Sequence, residues 1–75
     1  MSEHIEIDAI GTKCPRPIVE LAKAFRKAPP GSIIVIKADD LAFESDVKAW
    51  CETTHNTLVS LVREGSVSIA TIKTG

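Results

Sequence analysis

Ile5 and Ile7 alternate with His4, Glu6 and Asp8, the two-residue period of a half-buried strand. Asp8 to Lys13 then reads as a loop, with Gly11 as its breaker. From Pro15 the period changes. Ile18, Leu21, Ala22, Phe25 and Ala28 fall on one helical face, while Glu20, Lys23, Arg26 and Lys27 point away. Pro29, Pro30 and Gly31 stop that helix. Ser32 to Ala38 is a nearly unbroken apolar run rich in β-branched residues, so a strand is predicted that is buried on both sides or lies well inside a sheet. Phe43, Val47, Trp50, Cys51 and Thr54 share the face of a second helix. Its candidate caps are Asp40, Ser45 and Asp46, and His55 and Asn56 close it. Residues 57–65 and 66–73 read as two strands joined by a tight turn at Glu64–Gly65.

The predicted order is β-α-β-α-β-β, a two-layer α/β sandwich of four strands and two helices. A strand–helix–strand unit normally crosses over right-handed, which lays its helix on a face of the sheet. The 75 residues point to one domain spanning residues 1–75. A chain this short buries only about 60% of the surface its unfolded form exposes. Little interior is left to enclose a large substrate, so chemistry is expected at the surface or within a protein complex.

Composition and charge narrow the function further. A chain that is 44% hydrophobic and 25% charged suits a globular domain and argues against disorder. A net charge of −1 argues against non-specific nucleic-acid binding, which needs a basic surface to displace counterions. No apolar run approaches the roughly 20 residues of a membrane span, and the acidic start, Met1 to Asp8, lacks a signal-peptide pattern. A cytoplasmic protein is expected, with a monomer as the default. Two cysteines are too few for a disulfide scaffold, and a reducing compartment keeps thiols free.

Candidate chemistry centres on Cys14, set in the sequence Gly11-Thr12-Lys13-Cys14-Pro15-Arg16-Pro17. Cys14 falls at or beside the helix N-cap. Pro15 and Pro17 occupy first-turn positions whose N–H groups have no intrahelical partner, so they stiffen the entry without breaking the helix. The unpaired N–H groups, the positive helix end and the flanking Lys13 and Arg16 all favour a thiolate over a thiol. A persulfide, which ends in an anionic sulfur, is favoured in the same way. The competing reading is a buried small hydrophobe. It is opposed by the polar loop before Cys14 and by an apolar face that begins only at Ile18.

Cys51, beside Trp50 on the apolar face of the second helix, reads as a packed thiol. Whether it could reach Cys14 to form a disulfide is not legible from sequence, and the absence of a Cys-x-x-Cys spacing disfavours a dithiol mechanism. Cys51 and His55 lie four apart, but a metal site needs three or four ligands and no third is evident. No metal and no dissociable cofactor are expected. His4 or His55 could approach Cys14 to form a Cys–His pair, although a solvated His4 on the polar side of its strand is the simpler reading. Asp39, Asp40, Glu44 and Asp46 form an acidic cluster, read first as helix capping and a solvated face, and second as a docking or catalytic surface.

Taken together, these blocks resemble the TusA/SirA-type family of small sulfur carriers over almost the whole chain. Residues 7–25 resemble the family's opening pattern: an apolar residue, Asp8, Gly11, then Cys14-Pro15-x-Pro17. Residues 35–51 resemble its second block, in which an apolar strand and an Asp pair are followed by a helix carrying Asp46 and the Trp50-Cys51 pair. The resemblance implies two helices on one face of a mixed four-stranded sheet. It also implies a sulfurtransferase whose Cys14 carries sulfur covalently as a persulfide, received from a cysteine desulfurase or another sulfurtransferase. An acceptor protein would take that sulfur toward tRNA thiolation, molybdenum-cofactor synthesis or sulfur oxidation. Lys13, Pro15, Arg16 and Pro17 would shape the site. Asp40 and Asp46, which match acidic positions of the second block, would dock partners or shape the site as well. Arg16 fills the variable position of the motif, where its charge would help select the partner. The chain departs from the pattern at Thr12, where leucine is common, at Leu41, where many relatives carry proline, and at Lys48, where several do. These departures leave the thiol untouched and the partner open. An adaptor that binds a partner without passing sulfur is the alternative, and it would keep its function when Cys14 is replaced by serine.

Overall fold

The computed structural model describes residues 3–13 and 16–74. Six elements follow the predicted order: β1 (His4–Asp8), α1 (Arg16–Lys27), β2 (Ile33–Ala38), α2 (Phe43–Thr54), β3 (Thr57–Glu64) and β4 (Val67–Lys73). The sheet order is β1-β2-β4-β3. β1 and β2 run parallel, with His4 beside Ile33 and Asp8 beside Lys37. β4 is antiparallel to both of its neighbours, β2 and β3. β1, β2 and β3 therefore share one direction, and β4 fills the gap inside a split β-α-β unit. Both helices pack on one face of this mixed sheet.

That face holds the core. Leu21 of α1 and Phe43, Val47 and Cys51 of α2 meet Ile34, Ile36, Ala38, Ala70 and Ile72 of the two central strands. Each large side chain buried there contributes about 1.5–3 kcal/mol over its exposed state. Phe25 of α1 and Trp50 of α2 join the helices edge to face, with centroids 5.5 Å apart. Pro17, predicted only to be tolerated in the first turn, is itself fully buried.

β2 lies well inside the sheet, as predicted, but it is not buried on both sides. Ile34, Ile36 and Ala38 are fully buried beneath the helices, whereas Ile33 and Val35 are half-buried and Lys37 is exposed on the uncovered face. Two helices are enough to cover one face, and both cross to the same one.

Three further details differ from the sequence reading. α2 is not capped by Asp40, Ser45 or Asp46. Its N-cap is Ala42, which makes no side-chain cap. The Phe43 N–H instead donates to the Asp40 carbonyl at 3.1 Å, and Ser45 Oγ donates back to the Ala42 carbonyl at 3.2 Å. Glu44 and Asp46 lie inside the first turn, where their charge suits the positive helix end. The hairpin loop is Gly65–Ser66, one residue later than predicted, because Glu64 still pairs with Val67. Gly65 has φ +61° and Ser66 is not in the left-handed region, which fits a turn that wants glycine at its first central position. Finally, β3 carries a register shift between Leu58 and Ser60. The extra residue, Val59, lets Leu58 and Leu61 both pack against the core.

α2 closes as predicted. His55 adopts the left-handed conformation at φ 60°, and its N–H and that of Asn56 return to carbonyls of the last turn. Among the described residues no helix is long and apolar enough to cross a membrane.

Candidate functional site

Parallel pairing of β1 with β2 brings the loops at their carboxyl ends together, the usual place for a site in such a sheet. The first loop, residues 9–13, leads into α1, and the second, residues 39–42, leads into α2. Between them lies an open cleft of about 420 Å³ lined by Gly11, Thr12, Lys13, Asp39, Asp40 and Leu41. Cys14 and Pro15 lie outside the described residues. By sequence they continue directly from the cleft wall at Lys13 to the start of α1 at Arg16.

The first loop is held by a continuous set of hydrogen bonds. The Ala9 N–H donates to the Lys37 carbonyl at 2.8 Å, extending the β1–β2 ladder by one step. The Ile10 N–H donates to Asp8 Oδ1 at 3.1 Å, a turn closed by the aspartate's own side chain. The Gly11 N–H donates to Asp39 Oδ1 at 2.9 Å. Thr12 returns both its N–H, at 3.2 Å, and its hydroxyl, at 2.6 Å, to the Ala9 carbonyl. The Arg16 N–H donates to the Lys13 carbonyl at 2.8 Å, spanning the two residues in between. Gly11 takes φ +87°, a backbone state that side chains resist, although a Cβ there would meet no atom within 4 Å.

The entry to α1 favours an anion, whereas Asp39 and Asp40 set negative charge on the facing wall of the cleft. α1 has no acidic residue in its first turn and carries Arg26 and Lys27 in its last, the arrangement that suits the helix dipole. Lys13 and Arg16 are both exposed. Apolar side chains are exposed at the same end: Leu41 at 87%, Ile10 at 44% and Val19 at 42%.

The structure groups some of the predicted site residues and separates others. Lys13 and Asp40 line the cleft, Arg16 opens α1, and Pro17 is buried under that helix's first turn. Asp46 is half-buried within the first turn of α2. The two histidines lie elsewhere. His4 begins β1, at the end away from the loop, and pairs with Glu6 at 3.5 Å in an exposed contact. His55 caps the far end of α2, a helix of 12 residues and hence roughly 18 Å long. Neither is placed to act with the loop, because the topology sets both at the opposite end of the sheet. Among the described residues no group of three or more His, Cys, Asp or Glu could hold a metal ion.

In the sequence Asp39 is only one member of an acidic cluster, yet in the structure it binds the glycine loop directly. The legible signal was its place, immediately after β2, opposite a loop that immediately follows a parallel β1. Glu44, another member of that cluster, also makes a contact of its own: its Oε2 accepts the Ser68 hydroxyl at 2.9 Å, which ties α2 to β4.

Cys51 is a free thiol, 4% exposed among Val47, Phe43 and the sheet. Burial pushes its pKa up. Below the unfolded thiol's pKa, about 8.5, both states hold the proton and full stability is present. As the pH rises past that value the unfolded chain ionises first, so stability falls until the folded thiol ionises too. Urea titrations at about pH 8 and about pH 10 are expected to show this alkaline loss in the wild-type chain and a smaller loss in Cys51→Ala.

Comparison with known proteins gives one consistent result. A family model described as Sulfurtransferase TusA matches residues 5–74. The chain is 30% identical over 73 residues to a "Putative sulfur carrier protein" of Aquifex aeolicus (strain VF5). That match covers 97% of this chain but only 37% of the relative, so the chain spans little more than a third of that protein's length. In three dimensions it is similar to the SirA-like protein of Desulfitobacterium hafniense, with a TM-score of 0.84, over 95% of this chain and 97% of that one. At 23% identity that likeness is one of fold.

Proposed function

The chain belongs to the TusA sulfurtransferase family, a family of sulfur carriers, and on that premise we propose that it carries sulfane sulfur as a persulfide on Cys14. The thiolate attacks the outer sulfur of a donor persulfide. The new S–S bond forms on Cys14, the donor leaves as its own thiolate, and no external oxidant is needed. The terminal sulfur is then passed on when an acceptor attacks it in turn. The donor is a cysteine desulfurase or another sulfurtransferase, and the acceptor is a protein of tRNA thiolation, molybdenum-cofactor synthesis or sulfur oxidation. Sulfur moves inside a complex of soluble cytoplasmic proteins, and Cys14 needs no dissociable cofactor.

The observation that supports this reading best is the loop that leads to Cys14. It is anchored bond by bond, flanked by exposed Lys13 and Arg16, and set at the start of a helix with no acid in its first turn. Such a setting favours an anionic sulfur, whether thiolate or persulfide. The shallow cleft does not enclose a substrate, so the partner protein completes the site. Asp40 on the cleft wall and Asp46 in the adjoining first turn are the docking residues of this reading.

Incubation with a cysteine desulfurase and cysteine is expected to add the mass of one sulfur atom, mapped to the peptide holding Cys14. The adduct is lost in Cys14→Ser and kept in Cys51→Ala. If a panel of desulfurase and rhodanese-type donors leaves the mass unchanged, the carrier reading fails.

A further inference from the structure

We infer that Asp39 is a positioning residue for Cys14: by accepting the Gly11 N–H at 2.9 Å, its carboxylate holds the loop that leads to Cys14 against the end of β2. The bond joins residues 28 apart in the chain. It takes over where the β1–β2 ladder runs out, one step beyond the Ala9–Lys37 bond. Ala38, fully buried, fixes the backbone from which Asp39 projects. Gly11 sits at φ +87°, where the chain turns to present its N–H to that carboxylate. Three residues further on comes Cys14.

The consequence is one of geometry. Lys13 and the start of α1 favour a thiolate only at short range, since such effects fall off within a turn of the helix. The acidic charge itself works against an anionic sulfur nearby. The clamp's value therefore lies in its acceptor oxygen and not in its charge. This inference rests on the carrier reading for its biological meaning, but not for its test.

Asp39→Ala and Asp39→Asn separate oxygen from charge. Both remove the carboxylate's charge, and only Asp39→Asn keeps a carbonyl oxygen for the Gly11 N–H. The rate of Cys14 alkylation by iodoacetamide, followed by mass mapping across pH, needs no sulfur donor. Asp39→Ala is expected to raise the midpoint of that profile by about half a unit to one unit, slowing alkylation at neutral pH about two- to threefold. Asp39→Asn, which keeps the acceptor oxygen and removes the opposing charge, is expected to match the wild-type midpoint or fall below it. Persulfide uptake should fall about tenfold in Asp39→Ala, since transfer also depends on aim, and recover in Asp39→Asn.

Equal behaviour of the two variants, or a wild-type profile in both, overturns the inference. A donor panel that fails with the wild-type chain, while the alkylation contrast persists, removes the carrier reading and leaves the positioning role standing. The wild-type protein carries a check that needs no variant. Its Gly11 amide should exchange with solvent at least about tenfold more slowly than an unstructured amide, and free exchange there overturns the clamp.

Discussion

Truncating Phe43 to alanine is expected to cost about 3–5 kcal/mol, the range for removing a buried aromatic ring. Phe43 is 1% exposed and heads the fully buried side chains of the core. A chain of 75 residues holds a total stability of roughly 4–11 kcal/mol, at about 0.05–0.15 kcal/mol per residue. The variant should therefore lie close to its unfolding transition at room temperature. Two positions before Phe43 the chain is still lining the cleft at Leu41, so loss of the ring frees the α2 end of the site as well as the core. Urea unfolding followed by far-ultraviolet circular dichroism measures the cost. A loss below about 1 kcal/mol would mean that the neighbouring Val47, Leu21 and Ile36 side chains collapse into the gap, against the partial relaxation usual in packed cores.

The predicted fold was legible because each element buries one clean stripe. Leu21 with Ile18 and Phe25, and Phe43 with Val47 and Cys51, repeat at helical spacing, and all of them meet the core. Where the reading slipped, a partner outside the local pattern decided the outcome. Ile33 and Val35 look as buried as Ile34 and Ile36 in the sequence. Which face the two helices choose is a property of the crossovers, and it leaves one set half-covered. Strict alternation from Leu58 would turn Ser60 inward, and only the bulge at Val59 corrects the phase to Leu61. The N-cap of α2 falls on Ala42, and Asp40 lends its backbone carbonyl to the turn that starts the helix, which no side-chain preference announces. The site is less legible. Lys13 and Asp40 line one cleft and Arg16 opens the adjoining helix, a grouping that no local pattern states, and Asp39 could be assigned only after β1 and β2 were known to pair in parallel.

Reversing both charges beside the thiol, in Lys13→Glu/Arg16→Glu, is expected to move the Cys14 alkylation profile upward by about one to two pH units. Lys13 and Arg16 are exposed and lie one and two positions from Cys14 in the chain, so their charges are largely screened by water. At about 7 Å a unit charge is worth about 0.6 kcal/mol in bulk water, and more beside a protein surface. Two reversals change the local charge by four units, and counterions at about 0.1 M screen part of the sum. What remains is on the order of 1.4–2.8 kcal/mol, one to two units of pKa. At neutral pH the thiolate population then falls about 10- to 100-fold. The alkylation rate falls less, because a more basic thiolate is a better nucleophile. Neither side chain is part of the core, so the melting temperature should change little. Salt separates this field from a structural effect: at about 1 M, where screening acts over only about 3 Å, the variant and wild-type profiles should converge. Persulfide uptake from a donor with an acidic face should drop further than alkylation does, because the reversed charges also repel the partner before any sulfur moves. Profiles that coincide at low salt would show that the thiol takes its reactivity from the helix end alone.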